Sequence, residues 1–135
     1  MPPPASGSPP RGTVLLVEEE QHVRTLLGKY LAEQGYLMLE ARDGDEALER
    51  CKTQKEPPVS LMICDLVMTE MNGIELARRA RTYHPHMKTL YLSAHSQSSM
   101  IYHGIPLTDV SFLPKPFKLK ELIQAVNDLL SRANP

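Results

Sequence analysis

Val59-Ser60-Leu61-Met62-Ile63-Cys64-Asp65-Leu66 is a short, almost wholly apolar run that stops abruptly on a carboxylate. A strand with one wet face alternates apolar and polar residues. A continuous apolar run of this length therefore reads as a strand buried on both faces of a parallel sheet. Turn-prone residues follow from Met68 to Gly73, and a helical pattern begins at Ile74. In open parallel sheets ligands gather at the carboxyl ends of the strands, which puts Asp65 where such a domain does its chemistry.

Working back from this run, Pro57-Pro58 separates it from a helix spanning Glu46 to about Gln54, with Ala47, Leu48 and Cys51 as the buried face. Asp43-Gly44-Asp45 turns into that helix from a strand at Tyr36–Ala41. Before it, Val23, Leu26, Leu27, Tyr30 and Leu31 fall at helical spacing, and Gly35 is the stop. Thr13–Val17 is a second all-apolar strand, ending on Glu18, Glu19 and Glu20. Working forward, Asn72-Gly73 opens a helix with Ile74, Ala77 and Ala80 facing the core and Arg78, Arg79 and Arg81 facing solvent. Tyr83-His84-Pro85 ends it, and His84-Pro85-His86 reads as a solvated turn rather than a metal pair. Thr89–Leu92 is a strand leading to Ser93-Ala94, Ser98 to His103 a short helix, and Asp109–Leu113 a strand leading to Pro114-Lys115-Pro116. Leu119, Leu122, Ile123, Val126, Leu129 and Leu130 line one face of the last helix. Five strands alternating with helices imply a parallel sheet covered on both sides. At 135 residues the expected architecture is α/β, a flavodoxin-like (βα)5 doubly wound sheet of strand order 2-1-3-4-5.

Residues 1–12 hold five of the twelve prolines, with Gly and Ser, and are expected to form a disordered tail or linker ahead of one domain at 13–133. The net charge of −1 argues against a nucleic-acid surface. No apolar run is long enough to span a membrane, and the N-terminus lacks the apolar core of a signal peptide. Cys51 and Cys64 read as reduced thiols of a cytoplasmic protein.

A parallel sheet brings all its strand ends to one edge. Glu18 and Glu19, Asp65, Ser93 and Lys115 meet there from four different strands. Clustered carboxylates repel unless a cation neutralises them, and a hard divalent ion with oxygen ligands, Mg2+ above all, fits that need. Mg2+ completes its shell with phosphate oxygens. A hydroxyl at Ser93 and an ammonium at Lys115 are suited to receive a phosphoryl group.

Val-Leu-Leu-Val-Glu-Glu-Glu (14–20), Ile-Cys-Asp-Leu-Val-Met-Thr-Glu-Met-Asn-Gly (63–73), Leu-Ser-Ala (92–94) and Phe-Leu-Pro-Lys-Pro-Phe (112–117) together resemble the receiver domain of two-component response regulators. The resemblance covers Thr13 to about Arg132. It implies that Asp65 accepts a phosphoryl group from a histidine kinase or phosphotransfer protein. It further implies that Glu18, Glu19, Asp65 and the Val67 carbonyl hold Mg2+, and that Ser93 and Lys115 hold phosphoryl oxygens. Ser93 and Phe112 would form the switch, and Lys115-Pro116 would be cis. The output would be a shift between two packings of the face made by the fourth helix, the fifth strand and the last helix.

Three features depart from the family pattern. Glu19 stands where Asp is usual, and its extra methylene moves the carboxylate by up to roughly 1.5 Å. Weakened Mg2+ binding is expected, with Glu19→Asp tightening it. Thr69 stands where Pro is usual. Val67 and His95 sit two residues after Asp65 and Ser93, and an apolar Val67 suggests a persistent acyl phosphate. The segment 101–106 is similar to receivers of hybrid sensor kinases, which makes a C-terminal module of such a kinase one reading. No output domain is expected after Pro135. The chain is expected to be a monomer or weak dimer with no direct nucleic-acid binding and no membrane insertion. The alternative function is a receiver-like interaction module in which Glu19 has weakened or abolished phosphorylation. A dehalogenase-type phosphatase would need a second Asp where Val67 stands, and a nucleotide switch would need a Gly-rich Lys-Ser/Thr loop that the chain lacks.

Overall fold

The structure is a computed structural model that describes residues 11–93 and 107–132. Five strands form one sheet: β1 (Thr13–Val17), β2 (Leu37–Ala41), β3 (Leu61–Asp65), β4 (Lys88–Ser93) and β5 (Val110–Pro114). They lie in the order β2-β1-β3-β4-β5, and every adjacent pair is parallel. The described helices are α1 (Gln21–Glu33), α2 (Gly44–Thr53), α3 (Gly73–Ala80) and α4 (Leu119–Ser131), with a 3-10 turn at Leu107–Asp109 before β5. This is the expected flavodoxin-like sheet. The short helix expected at Ser98 to His103 lies outside the described residues.

Alternation along the strands divides two cores. Val14, Leu16, Leu61, Ile63, Leu90 and Leu92 pack with Leu27 and Leu31 of α1 and Leu122, Val126 and Leu129 of α4. Leu15, Val17, Met62, Cys64 and Tyr91 pack on the other face with Ala47 and Cys51 of α2 and Leu76, Ala77 and Ala80 of α3. Both faces of the central strands are thus buried, which is why their sequences run apolar without alternation.

Side chains close the helix starts. Glu20 caps α1 by accepting from the Val23 N–H, Asp43 caps α2 through Glu46, and Asn72 caps α3 through Glu75. Gly35 ends α1 at φ +102°, a left-handed backbone that glycine adopts without Cβ strain. Arg11 and Gly12 already pair with the sheet region: the Arg11 N–H donates to Gly35 and the Leu37 N–H to Gly12.

Three expectations are corrected here. Leu26 is 56% exposed and Val23 38%, so the buried stripe of α1 is narrower than its apolar spacing. His84 is not in a solvated turn. It is 4% exposed, its Nδ1 accepts from the Val59 N–H, and its Nε2 faces the Cys51 carbonyl. Arg81 is half-buried and donates to the Met87 carbonyl and the Thr89 hydroxyl, while Arg78 and Arg79 do face solvent, paired with Glu75.

At the amino edge of the sheet, the buried Lys88 donates to the Leu129 and Arg132 carbonyls and closes the carboxyl end of α4. A cavity of about 660 Å3 opens beside it, lined in part by Arg11, Lys52, Lys55 and Arg132. Because α2 and α4 end at this edge, its cations sit where helix dipoles favour positive charge.

Candidate functional site at the carboxyl edge

Register aligns the site. Asp65 at the end of β3 lies beside Leu92 of β4, and Ser93 lies beside Pro114 of β5. Leu16 of β1 lies beside Ile63, so Glu18 and Asp65 each follow two residues later. The strands therefore deliver Glu18, Glu19, Asp65, Ser93 and Lys115 to one edge although they span almost a hundred positions of chain.

Asp65 and Lys115 meet directly: Nζ of Lys115 is 2.5 Å from Oδ1 of Asp65, with both side chains partly exposed. The Lys115 N–H donates to the Ser93 carbonyl, and Lys115-Pro116 is cis, as the resemblance implied. Ser93 is buried at 4% exposure. Glu18 turns back on its own loop, Oε2 accepting from the Glu20 N–H at 2.9 Å. Glu19 reaches across to the loop after β3, where its Oε2 accepts from the Thr69 hydroxyl at 2.7 Å. Val67 is 65% exposed in that same loop. Phe112 is half-buried and stacked on Tyr91, with ring centroids 5.3 Å apart and planes at 27°.

The loop leaves Asp65 by a path that only glycine permits. The Gly73 N–H donates to the Leu66 carbonyl, and a Cβ on Gly73 would lie 2.4 Å from the Asp65 carbonyl oxygen. Asn72-Gly73 thus opens α3 and also lets the helix start tight against the strand end that carries Asp65.

The donor set suits a hard divalent cation in kind, since every expected ligand is an oxygen. Placement is a separate matter. Among the described residues no three acidic, His or Cys side chains stand close enough to hold a metal, and Glu18, Glu19 and Asp65 each turn an oxygen to a hydrogen-bonding or charged group of the protein. The edge brings together a nucleophile-capable carboxylate, a cation to balance incoming negative charge, a buried hydroxyl and two more carboxylates. That set serves phosphoryl transfer, in which positioning and charge neutralisation do most of the work.

Sequence reading missed two residues of this site. Thr69 stands out in the sequence only for not being proline, and its partnership with Glu19 spans 50 positions that no local pattern links. Tyr91 reads as plain strand, although its place two residues before Ser93 and level with Phe112 follows from the strand pattern.

The family model for the response regulator receiver domain matches residues 14–127. The sensor kinase CckA of Brucella abortus is 37% identical over 89% of this chain, which spans 13% of that protein. The response regulator receiver protein CpdR of the same organism is 34% identical over 89% of the chain and 98% of its own length. Among solved structures, the response regulator TrrA of Thermotoga maritima, in complex with Mg2+-BeF, is 28% identical at a TM-score of 0.68, covering 87% of this chain and 98% of that one.

Proposed function

The chain belongs to the response regulator receiver domain family, and from that membership we propose that it is a phosphorylatable switch with Asp65 as phosphoacceptor. The observation that carries the reading is the ion pair between Asp65 on β3 and Lys115 after β5, at the sheet edge where ligands collect. In the step proposed, a carboxylate oxygen of Asp65 forms a bond to phosphorus as the bond from phosphorus to the donor's imidazole nitrogen breaks, and the imidazole keeps that electron pair. Lys115 then has two oxygens to serve, and its ammonium moves from the carboxylate toward the phosphoryl group. The Ser93 hydroxyl donates a hydrogen bond to a second phosphoryl oxygen. Mg2+ bound by Glu18, Glu19, Asp65 and the Val67 carbonyl would neutralise the charge of the transferring group.

The output proposed is a change in the packing of Phe112 against Tyr91 as Ser93 is drawn to the phosphoryl group, read by a partner on the face around β5 and α4. The donor is a histidine kinase or a phosphotransfer protein. A single receiver domain at 13–133 is the unit that switches. Among the described residues no helix is long and apolar enough to cross a membrane.

Intact mass after incubation with acetyl phosphate tests this. One phosphoryl adduct is expected, dependent on Mg2+ and lost in Asp65→Asn. A second reading, a receiver that signals by binding alone, is favoured by the engagement of Glu19 with Thr69. A folded protein that takes up no phosphoryl group would establish that reading in place of the first.

A further inference from the structure

The Glu18–Glu19 pair is the one place where the site's chemistry and its geometry diverge. Glu19 is exposed, yet its side chain is not left to solvent: Oε2 sits 2.7 Å from Oγ1 of Thr69. The hydroxyl donates, so it holds the ionised carboxylate in the direction of the loop. An aspartate at position 19 would fall short of that contact by about 1.5 Å, one methylene. The loop is pinned at the other side of Thr69. Met71 packs on Gly44 at the start of α2, its Cε 3.1 Å from where a Cβ would be, and the Gly73 N–H is bonded to the Leu66 carbonyl. The hydroxyl is therefore placed by the loop, and Glu19 comes to it. The two departures at this edge, a longer acid and a hydroxyl, are partners of one hydrogen bond.

We propose that Thr69 is a positioning residue that holds the Glu19 carboxylate away from a divalent cation at Asp65, so that cation binding must first break the Thr69–Glu19 hydrogen bond. This rests on the reading of Asp65 and the acidic pair as a Mg2+ site. The bond acts as a brake on cation affinity. By reciprocity of linkage, cation binding frees the Thr69 hydroxyl, and any contact that draws Thr69 away from Glu19 raises affinity by the same factor.

The test is a Mg2+ titration of the full chain, followed by amide NMR, for the wild type, Thr69→Val, Thr69→Ser, Glu19→Asp and the Thr69→Val/Glu19→Asp double variant. An exposed hydrogen bond from a hydroxyl to a carboxylate, weakened by solvent, sets the scale, so Thr69→Val should bind Mg2+ about three- to tenfold more tightly. Thr69→Ser, which keeps the hydroxyl, should match the wild type. With Asp at position 19 the contact is out of reach, and adding Thr69→Val should change nothing, which gives the pair a measurable coupling. Unchanged or weaker binding in Thr69→Val, or an equal gain in both backgrounds, overturns the proposal while leaving the cation site standing. Binding by none of the five overturns the proposal and the site reading together.

Discussion

Tyr91 lies wholly inside the α2–α3 core, and among the described residues its hydroxyl has no hydrogen-bond partner of good geometry, although Thr89 and Arg81 lie near enough to favour its ionised form. Burial pushes its ionisation up, with the nearby Cys64 adding to the effect. An unsatisfied buried hydroxyl costs on the order of 1–3 kcal/mol, so Tyr91→Phe, which keeps the ring on Phe112, should stabilise the protein by about 1 kcal/mol and raise Tm by roughly 4 °C. A lower Tm would mean that the hydroxyl is bonded after all. His84 is a second buried polar group, and its two contacts settle its proton. A backbone N–H can only donate, so Nδ1 must be the bare nitrogen and Nε2 must carry the hydrogen that faces the Cys51 carbonyl. Ring 15N shifts should report the neutral Nε2–H tautomer, and the opposite tautomer would contradict the two contacts. Neither role was legible in the sequence, where Tyr83-His84-Pro85 has the composition of a wet turn. What buries His84 is the coincidence of Val59 and Cys51, donor and acceptor brought from 25 and 33 positions away. Arg81 fails in the same manner, its acceptors Met87 and Thr89 lying just before and on the next strand.

The strands were readable because a buried parallel strand writes a plain signal, an apolar run that stops at a polar edge. β3 runs Leu61–Asp65 inside the expected Val59–Leu66, and β5 is displaced by one residue to Val110–Pro114. The convergence of Glu18, Glu19, Asp65, Ser93 and Lys115 on one edge follows from parallel topology alone. The direction of each side chain does not, since Glu19 finds its donor in a loop whose path depends on α2 and α3. The helix faces show the same boundary: spacing placed Leu27 and Leu31 correctly but could not tell that Leu26 faces outward. Gly73 tests how tightly the loop and α3 are joined. A methyl there must displace the Asp65 carbonyl oxygen, which belongs to the backbone and cannot swing aside as a side chain can. Gly73→Ala should cost about 1–3 kcal/mol, the range for forcing a methyl into a packed site. It should also shift the amide signals of Asp65 to Thr69. A variant with unchanged Tm and an unperturbed loop would show that α3 is not seated against the strand as described.

At the scale of the whole molecule, among the described residues Glu18, Glu19 and Asp65 gather beyond the strand ends, and Arg11, Lys52, Lys55, Lys88 and Arg132 gather where α2 and α4 terminate. Between them lies a core with groups able to ionise only in alkali, Cys51, Cys64 and Tyr91 among them. Burial pushes the Cys51 thiol up to about 11 from an ordinary 9.0, and burial pushes Cys64 and Tyr91 further still. The sign of the consequence follows from proton counting. Between pH 9 and 11 an unfolded chain has released the Cys51 proton while the folded one retains it, so raising pH favours unfolding in that window. Stability from this source is complete below about pH 9 and is lost as pH rises through 11, with roughly 2 kcal/mol at stake for Cys51. Tm should hold steady from pH 7.5 to 8.5 and fall by several degrees by pH 10.5. Cys51→Ala opens a small hole and starts from a lower Tm, but it has no thiol to release, so its decline over the same interval should be shallower. Lysines and tyrosines on the surface titrate alike in both proteins, and the difference in slope isolates the thiol. Equal slopes would mean that Cys51 ionises as readily in the folded protein as in the unfolded chain, which its place on the buried face of α2 does not permit.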